Sequence, residues 1–500
     1  MSDLPPPDEF QPLGEMIAAT ARAAPDRPAL KDEARALTYG ELDAAMDRVG
    51  AALQRDGVGA GDTIAVCGEA SVAYVAAFLG AVRIGVAVAP LPPSSTPASL
   101  AAMLADSQAK ALFADATTRA LFDRPFIALD RLADWLAPEG ARPAAVAIAP
   151  DAVFNTIYSS GTTGTPKGID QSHAMRFAHT QRRLIAGYDE ESVTLASTPL
   201  YSNTTLVAVL PTLAAGGRVV LMKKFDARRF LEIAQAERAT HAMLVPVQYA
   251  RLLALPDFDR FDLTSFRMKL ATSAPFAAAL KAEVLARWPG GLTEYYGMTE
   301  GGGTCILLAH ERPDKLHTVG QPALGHDIRL IDEEGREVGP GGTGEIVGRS
   351  PAMMNAYRNA PDKTREAEWR DAQGRRFIRT GDIGRFDDEG FLTLLDRRKD
   401  MIISGGFNVF PSDIEAALLA SGLVREAAVV GAPSALWGET PVGFVVLKQP
   451  TDPEALRTHV NASLGKTQRL AALRVVEALP RSAIGKVLKR ELREAAGAMP

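Results

Sequence analysis

The chain has 500 residues, 47% of them hydrophobic, 23% charged and 6% aromatic, with a mean hydropathy of -0.01. That length exceeds one hydrophobic core and calls for two or more domains, and the composition excludes disorder, collagen and coiled coil as the main architecture. With 55 basic and 60 acidic residues the net charge is -5, so no global field draws the chain to nucleic acid. Two cysteines, Cys67 and Cys305, and seven scattered histidines build neither a disulfide framework nor a transition-metal site.

The opening MSDLPPPDEF is acidic and proline-rich, without a basic or apolar leader pattern, so a cytoplasmic location is expected. Helical patterns at Tyr39–Arg55 and Pro97–Ser107 alternate with short apolar runs at Thr63–Val66, Val86–Pro90, Ala111–Phe113 and Phe126–Ala128. This alternation predicts βαβ units on a parallel sheet. Ser71–Pro93 carries one charge, Arg83, and is broken by Gly80, Gly85 and the LPP at 91–93; it reads as a buried helix followed by a buried strand rather than a membrane span. Pro138–Pro150 is an Ala/Pro connector. A second pass follows Asp151, with strands at Arg218–Leu221, Ala242–Val245 and Met268–Ala271 and helices at Asp226–Arg238 and Phe276–Trp288. From Ile328 to Leu395, short strands punctuated by Gly, Pro and Asp predict a small antiparallel, barrel-like subdomain. After the charged run Asp396–Asp400 a compact α+β unit begins, with helices at Pro411–Ser421 and Pro453–Leu464 and strands at Ala427–Val430 and Gly443–Leu447. The expected division is 1–398 and 399–500.

Five segments carry the chemistry. Tyr158–Ile169 reads YSSGTTGTPKGI, after an extended run at Ala152–Ile157 and before a helix opening at Ser172. Its glycines free backbone N–H groups, and its hydroxyls and Lys167 can bind phosphate oxygens. The spacing differs from a Walker A loop, and a polar surface loop has the same composition. Tyr295–Glu300 reads YYGMTE: an aromatic face for a purine, a hydroxyl for a phosphate and a carboxylate for Mg²⁺. Arg379–Asp382 reads RTGD, where a carboxylate past a turn can accept both hydroxyls of a ribose. Asp396–Glu415 reads DRRKDMIISGGFNVFPSDIE, and Pro480–Leu492 ends the set with Gly485-Lys486. Each alone is equally a turn, a linker or solvated surface.

In this order and spacing the five segments resemble the adenylate-forming superfamily of acyl- and aryl-CoA synthetases, peptide-synthetase adenylation domains and luciferase-like enzymes, across about Phe10 to Leu492. The resemblance implies an α/β fold: a large N-terminal domain of two parallel-sheet subdomains plus the small β-barrel-like subdomain, and a mobile small α+β C-terminal domain. It implies that Ser159, Ser160, Gly161, Thr162, Thr163, Gly164 and Lys167 form a loop over the ATP phosphates. Ser273, Ala274 and Pro275 lie beside the adenine, Tyr296 and Gly297 lie against the purine, Thr299 contacts the α-phosphate and Glu300 holds Mg²⁺. Asp382 and Arg397 hold the ribose, Lys399 is the hinge, Lys486 enters the cleft during adenylation, and Gly405 and Gly406 line a tunnel for the pantetheine arm. The substrates and cofactors implied are ATP, Mg²⁺, CoA and a small carboxylic acid, acted on by a monomer or homodimer.

The chemistry accounts for these residue types. Attack of a carboxylate on the α-phosphorus of ATP makes an acyl-AMP and expels pyrophosphate, with negative charge gathering on phosphoryl oxygens that Lys486 and the loop N–H groups meet. The acid is already ionised, so no general base is required. A thiol then displaces AMP, and rotation about Lys399 exchanges Lys486 for the Gly405–Gly406 strand. Many CoA ligases carry a histidine where this chain has Ser202. The acid pocket is expected along Tyr201, Ser202 and Asn203, Val245–Gln248 with Val247, and Gly301 and Gly302. No cation lies among these residues, which argues against a dicarboxylate, and no Asp lies in Pro199–Leu206, which argues against an amino acid. Three readings stand: an acid–CoA ligase, an adenylation enzyme loading a carrier protein, and a non-catalytic nucleotide binder. Free CoA tested against carrier proteins separates the first two; loss of Lys486, Glu300 or Asp382 would mark the third.

Overall fold

The computed structural model describes residues 10–159, 167–181, 183–397, 400–404, 407–434, 437–465, 468–481 and 487–497. The chain divides into two compact units, residues 1–327 with 348–378, and residues 328–347 with 379–500.

The first unit holds two sheets. One has seven strands in the order Ala356–Tyr357, Lys167–Ser172, Val153–Ser159, Ala87–Pro90, Thr63–Cys67, Ala111–Ala114 and Ile127–Ala128. Its last five are parallel and its first two antiparallel. The other has nine strands: Gln321–Pro322, Cys305–Leu308, Gly291–Tyr296, Met268–Ala271, His241–Leu244, Val193–Ala196, Arg218–Leu221, Pro28–Lys31 and Ala36–Thr38. The six from Gly291–Tyr296 to Pro28–Lys31 are parallel. The two parallel sheets expected from the alternation of elements are therefore present. One continuous core takes Val66, Val88 and Phe154 from the first sheet and Leu30, Val219 and Leu221 from the second. Between them it takes Leu42, Met46, Phe78, Leu79, Val209 and Leu213 from the helices Tyr39–Arg55, Val72–Arg83 and Asn203–Ala214.

The segment at Ser71–Pro93 is the expected buried helix, Val72–Arg83, capped by Ser71, followed by the buried strand Ala87–Pro90. Its one charge is met within the core: Arg83 donates to Asp47 at 2.7 Å and pairs with Asp43. Among the described residues, no helix is long and apolar enough to cross a membrane. Asn203–Ala214 departs from the reading of its sequence, which had only a pocket edge there. It is buried from Thr204 to Ala214 and carries Pro211 inside, so it shows no amphipathic period to read.

In the second unit, Val424–Ser434 and Gly438–Leu447 form a long antiparallel pair; Gly438–Leu447 also pairs antiparallel with Ile402–Ser404, itself paired with Phe407–Val409, and parallel with Ala472–Val475. Successive residues of a strand face opposite sides of its sheet. Val429 and Val445 therefore pack with Ile414, Leu418, Leu456 and Val460 of the helices Pro411–Ala420 and Pro453–Ser463. Val430, Val442 and Phe444 face Leu492 and Ala496 of the helix Lys489–Gly497. The antiparallel strands expected between 328 and 395 are present: Arg376–Phe386 pairs with Glu368–Arg370 and with Leu392–Arg397.

Candidate active site at the carboxyl ends of the parallel strands

In an open parallel sheet, ligands bind in the crevice beyond the carboxyl ends of the strands. Four neighbouring strands of the nine-stranded sheet, Val193–Ala196, His241–Leu244, Met268–Ala271 and Gly291–Tyr296, end on the segments singled out from the sequence. They lead in turn to Tyr201–Asn203, to Val245–Gln248, to Ser273–Pro275 and to Tyr296–Glu300. The first and third are joined directly, since the Thr204 and Ser273 hydroxyls lie 2.6 Å apart. Ser273 has φ +80, a left-handed conformation that costs a non-glycine residue about 1 kcal/mol or more.

Ser202 is the N-cap of the helix Asn203–Ala214, and its hydroxyl accepts from the Thr204 N–H at 3.3 Å. Tyr201 is half-buried, and burial pushes its hydroxyl pKa up. Val247 lies in the first turn of the helix Pro246–Leu253. Gly301 and Gly302 have φ of +77 and +82. A Cβ on Gly301 would fall 1.8 Å from the Ala352 carbonyl oxygen, so glycine is required here by the backbone itself.

The phosphate-loop segment connects two antiparallel strands, Val153–Ser159 and Lys167–Ser172, with Ser159 opposite Lys167. The helix His173–Thr180 begins at the expected place, with Ser172 as its cap; the six residues between loop and helix form a strand that the sequence reading did not anticipate. Ser160, Gly161, Thr162, Thr163 and Gly164 lie outside the described residues, as do Lys399, Gly405, Gly406, Lys486 and the side chain of Ser159. Asp382 and Arg397, in the second unit, are cross-strand neighbours, with Arg397 Nε 3.0 Å from Asp382 Oδ1.

Two contacts tie Glu300 and Thr299 to the strands around the loop. The Tyr357 hydroxyl donates to Glu300 Oε1 at 2.7 Å, and Lys167 Nζ lies 5.1 Å above the Tyr357 ring. Burial and the Glu300 carboxylate push the Tyr357 pKa up, which keeps the hydroxyl a donor. Tyr357 arrives on a two-residue strand paired antiparallel to Lys167–Ser172, and the next side chain, Arg358, donates to the Ser107 carbonyl at 2.9 Å. On the other side, Gln171 Nε2 donates to the Thr299 carbonyl at 2.6 Å.

Tyr357, Gln171 and Arg176, whose guanidinium donates to Asn203 Oδ1 at 2.8 Å, were missed as site residues. Gln171 sits next to the loop motif, which is a signal of position. Tyr357 and Arg176 carry none, because only the pairing of distant strands and helices brings them here.

The family described as AMP-binding enzyme matches residues 17–358, and its C-terminal domain matches residues 413–486. A fatty acid–acyl-carrier-protein ligase of Streptomyces coeruleorubidus is 32% identical over 506 residues, covering 97% of this chain and 96% of that protein. A long-chain-fatty-acid–CoA ligase of Mycobacterium tuberculosis is 30% identical over 500 residues, covering 96% and 98%. The solved structure of an o-succinylbenzoate CoA synthetase from Bacillus subtilis, in complex with its acyl-adenylate intermediate, has a TM-score of 0.85 at 29% identity and covers 98% of this chain and 99% of that one. The same synthetase, solved with ATP and magnesium ion, has a TM-score of 0.84 at 29% identity, with coverage of 96% and 99%. The match of both domains, and of relatives over nearly their whole length, identifies this chain as a member of the AMP-binding enzyme family.

Proposed function

We propose that the protein is an ATP-dependent acid–CoA ligase, which joins a carboxylic acid to AMP with release of pyrophosphate and then transfers the acyl group to the CoA thiol with release of AMP. The observation that carries this reading is the placement of Ser273, Thr299 and Glu300 after neighbouring strand ends, with Lys167 over the ring of Tyr357 whose hydroxyl meets Glu300, in a chain that matches both domains of the family. Relatives named for fatty acids and for an aromatic acid support the acid class without choosing within it.

On this reading the loop from Ser159 to Lys167 wraps the β- and γ-phosphates, Ser273–Pro275 and Tyr296 with Gly297 receive the adenine, and Asp382 and Arg397 hold the ribose. Thr299 binds the α-phosphate, where the acid attacks. Lys486 meets the charge that develops on the phosphoryl oxygens. The acid lies along Tyr201–Asn203, Val247 and Gly301–Gly302. Residues 399–500 form the mobile domain, turning about Lys399 so that Gly405 and Gly406 admit the pantetheine arm for the second step. Alternation of this kind explains how one small domain serves two reactions.

Glu300 fits Mg²⁺: its hard carboxylate oxygen meets the Tyr357 hydroxyl, whose ring lies under Lys167, and such an oxygen is the donor the ion takes when most of its shell is phosphate and water. Held by Glu300, the ion would supply positive charge to offset that on the phosphate oxygens. Tyr357 orients that carboxylate through its hydroxyl. A cytoplasmic location and a monomeric or homodimeric state complete the proposal.

The test is pyrophosphate release with ATP and Mg²⁺ across a panel of acids, from short aliphatic and hydroxy acids through fatty acids to benzoates and hydroxycinnamates, with and without CoA. Acid-dependent release with a CoA thioester identified by mass is the expected result. Release without thioester would transfer the second step to a carrier protein, and silence across the panel would overturn the reading.

A further inference from the structure

We propose that Arg176 is a positioning residue of this site: one buried guanidinium holds the phosphate side and the acid side of the reacting centre in register. The proposal deepens the ligase reading above and rests on it.

Arg176 lies in the helix His173–Thr180 and is 1% exposed. A buried cation costs several kcal/mol unless its donors are met. Its Nε donates to Asn155 Oδ1 at 2.8 Å, its Nη1 to Asn203 Oδ1 at 2.8 Å, and its Nη2 to Gln171 Oε1. Nη1 also lies 3.4 Å from His179 Nδ1. Asn155 is on the strand leading into the phosphate loop, Gln171 on the strand leading out, and Asn203 opens the helix at the acid pocket.

The chemistry of the donors fixes the direction of the chain of contacts. A guanidinium only donates, so Gln171 must turn its oxygen towards it. Asn155 Nδ2 adds a second donor to that same oxygen at 3.0 Å. The Gln171 NH₂ group is thereby aimed the other way, and it meets the Thr299 carbonyl at 2.6 Å. One branch from Arg176 thus ends on the residue before Glu300, and the other ends on Asn203. An apolar core would fill the same space at lower cost. What the polar network adds is a fixed relation between two segments 96 residues apart in sequence, both at the site.

The experiment compares Arg176→Lys, Gln171→Leu and the double variant with the wild type. Lysine keeps the charge but cannot reach three amides in one plane. Arg176→Lys should lower kcat for acid-dependent pyrophosphate release about 10–100-fold, the scale expected when reacting groups shift by about 1 Å, and should raise KM for the acid. Gln171→Leu should lower kcat and leave that KM alone, since Asn203 keeps its donor. The double variant should lose no more kcat than Arg176→Lys alone. Hydrogen exchange supplies a readout independent of activity, with amides at 299–303 and 203–206 exchanging faster in Arg176→Lys. If Arg176→Lys does not fold, Gln171→Leu carries the kcat and exchange tests.

Wild-type kcat and KM in variants that merely melt earlier would overturn the proposal, as would unchanged exchange at both segments. Altered exchange in a protein that releases no pyrophosphate with any acid would keep the coupling and remove the ligase reading.

Discussion

Replacing His173 with phenylalanine should make the first unit less sensitive to acid. His173 is 3% exposed, neither ring nitrogen has a hydrogen-bond partner, and the ring packs edge-on against Phe154 with centroids 5.0 Å apart. Burial pulls its pKa from 6.5 down to about 4. Between those values the unfolded chain binds a proton that the folded chain refuses. The stability due to neutral His173 is therefore fully present above pH 6.5 and drains away as the pH falls towards 4. At pH 5 the loss is 1.5 pH units at 1.36 kcal/mol each, about 2 kcal/mol. Phenylalanine does not titrate, and whatever its larger ring costs in packing is the same at both pH values. The measurement is urea unfolding at pH 7.5 and pH 5.0 followed by tryptophan fluorescence, in a Trp437→Phe background because the other three tryptophans, Trp135, Trp288 and Trp369, all lie in the first unit. His241, also held near pKa 4 by burial, is present in both proteins and cancels. The variant should lose about 2 kcal/mol less than the parent between the two pH values. An equal loss in both would mean that His173 is protonated in the fold at pH 5, and the reasoning from burial would fail.

Four other outcomes are expected. Lys486→Ala should abolish acid-dependent pyrophosphate release and spare thioester formation from supplied acyl-AMP, while Gly406→Trp does the converse; equal loss of both half-reactions in either variant refutes the exchange of faces. Tyr357→Phe removes the hydroxyl from Glu300 and should raise the Mg²⁺ needed for half-maximal pyrophosphate release about tenfold, the scale of one hydrogen bond to a charged group; an unshifted Mg²⁺ titration counts against Glu300 as its ligand. Gly301→Ala puts a methyl 1.8 Å from the Ala352 carbonyl oxygen at φ +77 and should destabilise by more than the ~1 kcal/mol of left-handed strain alone, read as a lower melting temperature. Ser412 donates its N–H to Asp396 at 3.1 Å and its hydroxyl to the Leu395 carbonyl, so it bridges the proposed hinge; Ser412→Ala should shift the two half-reaction rates in opposite directions, and a parallel change or none would place the pivot elsewhere.

The elements legible in the sequence were those whose faces differ or whose ends are marked. Tyr39–Arg55 has an apolar stripe at Leu42, Met46, Val49 and Leu53 and a capping box from Thr38 to Glu41, and its bounds were read without error. Pro97–Ser107 has Thr96 as cap and a proline at its first position, and it too was read correctly. The helix Asn203–Ala214 was invisible because burial on every side erases periodicity. The strands at 424–434 and 438–447 were read short because Pro433 and Pro441 look like boundaries, although each sits inside a paired strand.

The segments proposed for the site were grouped through the family resemblance of their motifs, and the fold supplies the geometry behind their order. In a parallel sheet every strand-to-helix connection emerges at the same end. The strands at 193–196, 241–244, 268–271 and 291–296 are neighbours in that sheet and follow the same order in the chain. Each successive motif therefore moves one strand along, at about 4.8 Å per step, and four strand ends span about 15 Å, enough to lay an acid at one end and a nucleotide at the other. Sequence order is spatial order along this edge, which is why motifs separated by tens of residues meet at one row of strand ends. What sequence order cannot supply is the layer beneath. Gln171, Arg176 and Asn155 belong to the other sheet and its helix, and they reach the Thr299 carbonyl and Asn203 from there. Asn155 and Gln171 are fully buried on neighbouring strands, and one guanidinium gives both their reason.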